Sequence, residues 1–502
     1  MYSSILQKNI YLKYLLVIIA GIIFPYAFSP HNFKILIFIS LLIYFYILFQ
    51  SDEQESKKLS FIYGFFIFLF GVSWIFNSIY NFGGQNLFIS LLLTLLFIFL
   101  LALIFVPIGI FINKDYFSHS IHRRVFIGSS IWVLLEWFRS NLFGGFPWLL
   151  LGHSQTGTYL EVIFPLLGTY LVSYIIVSSA LYSALIFLNQ GKISKCFFGI
   201  IIIIVSVITI NIFDRTWITH SAQGINFSII QANIKQEIKF SQNEITEIKK
   251  KFLFSTLSRK NRDLVIWPET AIPTLYHHDR QFFIELIQKM GNKTSLLSGT
   301  FRFDKDSKKY FNSLVLLNKK NEQFYDKRHL VPFGEFTPLP AVFGLLAKKL
   351  NIPMSNLSEG DGKTTILSLH KINIHPLICY EIAYPYLINT GYDNFGLILN
   401  ISNDAWFGDS SAPYQHLQIA QVRALETQKY ILRSANTGVS ALISPKGRIL
   451  DKVDFGKEGV LDGEVYGTKG RTPYMYFGDY PILMLIFLFT FFILKNRLRN
   501  NG

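Results

Sequence analysis

The chain has 502 residues, 51% hydrophobic and only 16% charged, against about 25% charged in an ordinary soluble domain. Such a composition excludes a wholly water-soluble protein. The net charge of +15 does not indicate a nucleic-acid partner, because basic residues gather in short connections and form no stripe with interleaved aromatics.

In chain order, residues 1–213 read as a transmembrane bundle, 214–476 as an extramembrane domain, and 477–502 as a last span with a basic tail. Eight spans are predicted, at 11–28, 33–50, 59–78, 87–112, 125–144, 162–189, 196–213 and 478–494, each about long enough for a ~30 Å hydrocarbon core. Pro25 and Pro30 interrupt the first pair, so a tight hairpin is the alternative there, and Pro107 predicts a kink in the fourth span. No small-residue cleavage pattern follows the first span, which argues against a signal peptide. Alternate connections collect Lys8, Lys57, Lys58, Lys114, Arg123, Arg124, Lys192, Lys195, Lys495, Arg497 and Arg499, while the connection 79–86 is uncharged and 140–161 has only Arg139 at its edge. Positive charge marks the cytoplasmic side, so both termini are expected there and the 214–476 domain on the outer face.

The outer domain alternates short apolar runs with amphipathic ones, which predicts α/β layering. Strands are expected at Ile225 to Gln231, Leu264 to Trp267, Ser295 to Thr300, Ser313 to Leu317, Ile374 to Cys379 and Leu397 to Ile401, with a late helix from Tyr414 to Tyr430 and a hairpin around Pro445-Lys446-Gly447. Glu269, Cys379 and Asn403-Asp404 fall at or just after strand ends, where side chains share a crevice on rigid supports. Lys327 precedes a proline-stiffened loop, Leu330 to Glu335. A carboxylate base, a fixed ammonium and a thiol are the parts that move an acyl group through a thioester. Cys196 lies at the cytoplasmic edge of the seventh span, out of reach of Cys379, so Cys379 is a lone thiol. The alternative for such a cysteine is a buried core position.

Trp267-Pro268-Glu269, Lys327 and Cys379-Tyr380-Glu381 resemble the Glu-Lys-Cys triad of the nitrilase (carbon-nitrogen hydrolase) superfamily. Gly145-Phe146-Pro147-Trp148, Leu330 to Phe336, Ile378 to Glu381 and Ser402 to Asp409, set in a membrane frame, are similar to the apolipoprotein N-acyltransferase family over nearly the whole chain. The resemblance implies a nitrilase-like α-β-β-α sandwich on an α-helical membrane bundle, in the bacterial inner membrane with its catalytic domain periplasmic. It implies transfer of an acyl chain from a phospholipid through Cys379 to the α-amino group of a diacylglyceryl-cysteine on an apolipoprotein. No cofactor or metal is expected, and a monomer is. Glu269 is then the general base and Lys327 the oxyanion cation, assisted by the Tyr380 N–H, with Glu335 or Glu381 keeping the lysine charged. Gln231-Ala232-Asn233-Ile234-Lys235-Gln236 departs from the family pattern, with Ala and Lys in place of Gly and Pro.

Other residues have two readings. Trp406 and Phe407 line an acyl or headgroup path, or serve as interfacial anchors and core. Tyr384 and Tyr386 orient a headgroup, or pack. Ala341 to Leu350 with Ser358 to Gly362 forms a lid, or an ordinary surface helix and loop. Glu136 and Arg139 pair on one helix face for function, or anchor the Gly145 to Trp148 loop. His277, His278, His329, His375 and His416 lack metal-ligand spacing and are read as solvated or hydrogen-bonded. Two other functions compete: a membrane-anchored amidase with water as final acceptor, and a transporter or scaffold, for which the apparent span cores hold little polarity beyond Asn77 and Glu136.

Overall fold

The computed structural model describes residues 9–112, 120–188, 193–337, 356–362, 366–370, 372–388 and 395–500. The chain divides into two compact units, one of residues 1–76, 87–215 and 476–502 and the other of residues 77–86 and 216–475.

The first unit is helical: α1 (Ile10–Ile23), α2 (Ile35–Leu48), α3 (Glu53–Gly71), α4 (Leu87–Leu103), α5 (Val106–Phe111), α6 (Ile121–Asn141), α7 (Phe164–Phe187), α8 (Ile193–Ile212) and a final helix, Tyr480–Asn500. A helix occupies each predicted span. Only four stretches among the described residues are long and apolar enough to cross a bilayer unaided: Ile10–Ala27, Leu87–Phe111, Tyr159–Phe187 and Ile193–Ile212. A fifth appears if α3 and the bent Ile75–Phe82 segment count as one span, whereas Ile35–Leu48 and Tyr480–Phe492 are shorter apolar helices. The bilayer-compatible faces are plain on α4 and α8, where Phe88, Leu92, Phe198, Ile201 and Val205 are exposed. Apolar surface of that extent is stable only against lipid or protein.

Polar stitches join these helices. Lys13 is buried on α1 and reaches Gln50 O (3.0 Å), Ser51 Oγ (3.3 Å) and Glu55 Oε2 (2.8 Å), a buried cation that hydropathy alone did not disclose. Ser40 Oγ donates to Ala20 O (2.6 Å), and Tyr44 OH donates to Ser60 Oγ (2.7 Å). Such bonds give apolar helices a register. Glu136 and Arg139 hold the loop after α6 through its backbone: Leu151 N–H donates to Glu136 Oε1 (2.7 Å), and Arg139 Nη1 donates to Phe146 O (3.0 Å) and Trp148 O.

The second unit carries two six-stranded sheets. Strands β1 (Thr219–Gln231), β2 (Leu264–Ile266), β3 (Ser295–Asp304), β4 (Lys309–Leu317) and β5 (Glu322–Asp326) join β12 (Gly459–Lys469) in the order β12-β1-β2-β3-β4-β5. Strands β6 (Leu367–Leu369), β7 (Ile372–Ile378), β8 (Leu397–Ser402), β9 (Tyr430–Ala435), β10 (Ser440–Ile443) and β11 (Ile449–Val453) form the second, in the order β11-β10-β9-β8-β7-β6. In each sheet three central strands run parallel, β1-β2-β3 and β7-β8-β9. Side-chain alternation builds the layers. Phe227, Ile229, Leu264, Ile266, Leu314 and Leu316 meet Ile374, Ile378, Leu399 and Leu432 in a core shared by the sheets. The opposite face of the first sheet offers Ile230, Val265, Leu296 and Val315 to helices α9 (Ile245–Leu257) and α10 (Tyr276–Lys289). A further helix, α11 (Ala412–Thr427), joins β8 to β9. The result is an α-β-β-α sandwich.

Candidate active site

Parallel central strands bring several strand ends to one edge, and the sequence-predicted residues emerge there. Glu269 follows β2. A Cβ on Gly299 of β3 would fall 2.6 Å from Glu269 Cα and from Thr270 N, so this glycine is what lets the Pro268-Glu269 turn lie on the neighbouring strand. Lys327 follows β5, its N–H bonded to Asn312 O (2.9 Å). Cys379 follows β7 at φ +52°, a left-handed conformation unusual for a residue other than glycine.

These side chains converge. Lys327 Nζ lies 2.9 Å from the Glu335 carboxylate and 3.8 Å from Glu269 Oε1, with the lysine 1% exposed. Asn312 Nδ2 donates both its protons, to Glu269 Oε1 (2.8 Å) and Glu335 Oε1 (2.9 Å). Asn403 N–H donates to Glu269 Oε2 (2.8 Å), so both oxygens of Glu269 are fixed. Burial works against a charged Lys327, yet Glu335 and then Glu269 hold its pKa above the usual lysine value. Between the two glutamates expected to neutralise Lys327, Glu335 makes the contact. Glu381 instead accepts from Tyr325 OH (2.9 Å), Arg328 N (2.7 Å), His329 N (3.1 Å) and Ile378 N (2.7 Å), tying the backbone after Lys327 to the backbone before Cys379.

The Cys379 thiol feels both partners. Burial and then the Glu269 carboxylate raise its pKa above the ordinary thiol value, against the opposing pull of Lys327. At neutral pH Cys379 therefore rests as the thiol, a form that needs a base before it can act as a nucleophile. Ser402 Oγ lies 3.5 Å from Sγ, and Cys379 is partly accessible.

Tyr380 and Tyr384 are buried, and the Tyr384 ring lies against His329, tilted by 34° with ring centroids 3.7 Å apart. Tyr386 is exposed and its OH meets His329 Nδ1 (2.8 Å). Trp406 is exposed and its ring meets Phe82 edge-on at 5.2 Å, while Ser78 Oγ and Asn77 Nδ2 donate to the carbonyls of Trp406 (2.8 Å) and Phe407 (3.0 Å). The segment 77–86 thus braces the turn after β8. Ala341 to Leu350 lies outside the described residues; Ser358 to Gly362 is docked, with Gly360 N–H on Lys327 O (2.9 Å).

Residues that sequence reasoning did not single out complete the site. Lys239 is buried, donates to Glu269 O (3.1 Å), and has its pKa lowered to about 8 by burial, against the pull of Glu269 and Cys379. Gln236 Oε1 accepts from Asn403 Nδ2 (2.9 Å), and Asn436 Nδ2 donates to Asn403 Oδ1 (3.0 Å). Asn436 directly follows β9 (Tyr430–Ala435), as Asn403 directly follows β8 (Leu397–Ser402). Lys239 looks like any lysine of an amphipathic stretch.

Residues 20–182 match the family model described as apolipoprotein N-acyltransferase N-terminal domain, and residues 221–472 match carbon-nitrogen hydrolase. A protein of Coxiella burnetii named apolipoprotein N-acyltransferase is 34% identical over 487 residues, covering 94% of this chain and 98% of that one. Proteins of the same name from Methylococcus capsulatus (33% identical, 94% of each chain covered) and Wigglesworthia glossinidia brevipalpis (34%, with 93% of this chain and 95% of that one) are similar to it along the same length.

Proposed function

The chain belongs to the apolipoprotein N-acyltransferase family, and from that premise we propose that it N-acylates apolipoproteins, taking the acyl chain from a membrane phospholipid and passing it through a thioester on Cys379. The observation that carries this reading is the charged Lys327, held between Glu335 and Glu269 and acting on the Cys379 thiol. In the first half-reaction Glu269 takes the thiol proton as sulfur attacks the ester carbonyl. Negative charge collects on the carbonyl oxygen and is met by Lys327 and the Tyr380 N–H. One such donor is worth about 3 kcal/mol of transition-state stabilisation. Collapse expels the lysophospholipid alkoxide, which takes the proton from Glu269, leaving an acyl thioester.

In the second half-reaction the α-amino group of a diacylglyceryl-cysteine attacks the thioester. Its reference pKa of about 7.7–8.0 leaves an appreciable neutral fraction at neutral pH. Glu269 accepts the ammonium proton, the amide forms, and the departing thiolate recovers its proton. Water is the competing nucleophile, which favours a site entered from lipid. Trp406 and Phe407 suit the approach of an acyl chain.

The frame we propose has eight spans, seven before a periplasmic catalytic domain of residues 214–476 and one after it, with both termini cytoplasmic, acting as a monomer. The test is reconstitution in phospholipid vesicles with a synthetic diacylglyceryl-cysteine peptide. An N-acylated peptide and an equimolar lysophospholipid are expected; free fatty acid with unmodified peptide would indicate a hydrolase instead.

A further inference from the structure

A buried polar network lies behind the nucleophile and ends on its carbonyl oxygen. Cys379 O accepts from His416 Nε2 (3.1 Å) and Asn400 Nδ2 (3.4 Å). A carbonyl has no proton to give, so Nε2 carries one whatever the charge on the ring. His416 Nδ1 meets Arg433 Nη2 (3.0 Å) and Asp404 Oδ1 (3.0 Å). Arg433 also sets the orientation of Asn400: Nη1 donates to Asn400 Oδ1, which turns the amide Nδ2 toward the carbonyls of Leu377 (3.2 Å) and Cys379. Asp404 anchors the arginine through Oδ2 (2.7 Å) and accepts from Ser402 Oγ (2.6 Å). All five side chains are fully buried, and a Cβ on Gly438 would overlap Asp404 Oδ2.

A buried charged network is a poor way to stabilise a fold, since apolar residues of similar volume do as well or better. Its donors converge on one peptide group. That peptide is planar and trans, so fixing the Cys379 oxygen fixes the Tyr380 N–H in the opposite direction. We propose that Asn400, His416 and Arg433 are positioning residues, which hold the Cys379–Tyr380 peptide so that its N–H meets the oxyanion during acyl transfer. This rests on the thioester reading above.

The test compares two reactions of the same sulfur in the full-length protein. Acylation from vesicles of labelled phosphatidylethanolamine and phosphatidylglycerol develops an oxyanion; alkylation by iodoacetamide at a saturated carbon does not. Asn400→Asp and His416→Ala are expected to slow single-turnover acylation about 100-fold, the scale of a misplaced catalytic group. Alkylation should stay within about threefold of the parent, as the thiol itself is untouched. His416→Gln, which keeps an N–H donor, should recover most of the acylation rate. Unchanged acylation, or acylation and alkylation falling together, overturns the proposal. Should His416→Ala not fold, the two rates of Asn400→Asp decide it alone. Failure of the parent protein to form a thioester is a different result, and removes the acyl-transfer reading itself.

Discussion

At the scale of single residues, the chemistry turns on where one proton and one charge reside. Glu269 is fixed by Asn312 and Asn403, and Lys327 by Glu335, so neither has to reorganise when charge develops on the substrate. Glu269→Gln keeps the shape and removes the proposed base; Lys327→Ala removes the proposed oxyanion cation. Both should insert and fold, yet form acyl-enzyme at least about 100-fold more slowly than the parent in a labelled-phospholipid burst. Normal acylation in either variant would remove that residue from its role. The raised thiol pKa sets a second expectation. With the thiolate a minor species, iodoacetamide alkylation of Cys379 should climb about tenfold per pH unit from pH 7 to 9 without levelling off. A plateau below pH 8 would indicate a preformed thiolate and contradict general-base activation.

At the scale of elements, the site depends on parallel strands ending together and on turns held close to them. Gly299→Ala forces the new methyl into the Pro268-Glu269 turn and should lower both the thermal midpoint and the acylation rate, with the midpoint read in detergent by intrinsic fluorescence. A variant as stable and active as the parent would show that this close approach does not matter. The same elements explain what could be read in the sequence. The runs at Ile225, Leu264, Ser295 and Leu397 announced their strands because each gathers aliphatic side chains in a short stretch, as central strands covered on both faces do. The edge strand Glu322–Asp326 did not, since it is short, only Tyr325 of its five residues is fully buried, and its two aromatics sit between polar residues. Of the three acyl-transfer candidates, Glu269 and Cys379 were legible because each follows or ends such a run, and Lys327 because it precedes the proline-stiffened loop Leu330 to Glu335. Lys239, Asn312 and Arg433 were not, for their meaning lies in partners far away in sequence: 30 residues separate Lys239 from Glu269 and 43 separate Asn312 from the same glutamate.

At the scale of the molecule, composition divides the chain into an apolar part and a more polar one. Hydropathy marked where apolar helices lie; among the described residues four of them, or five with the bent pair, are long and apolar enough to cross a membrane. Lys13 and Glu55 sit within or beside predicted spans and are paired with each other at 2.8 Å, a compensation no hydropathy window registers. The charge asymmetry of the connections makes a directional claim that labelling can check. In intact cells carrying Cys379→Ala, an impermeant maleimide should label Ser307→Cys, on the exposed β3–β4 turn, and should not label Lys57→Cys until the membrane is opened. The reverse pattern would invert the topology and deny the catalytic domain its periplasmic substrates.

In the proposed reaction the sulfur at position 379 takes an acyl chain from lipid. Incubating the purified protein with phospholipid labelled in its acyl chain, then digesting it, tests this directly. Label is expected on the peptide containing Cys379, released by neutral hydroxylamine and lost in Cys379→Ala. Label that persists in the alanine variant, or that resists hydroxylamine, would contradict it.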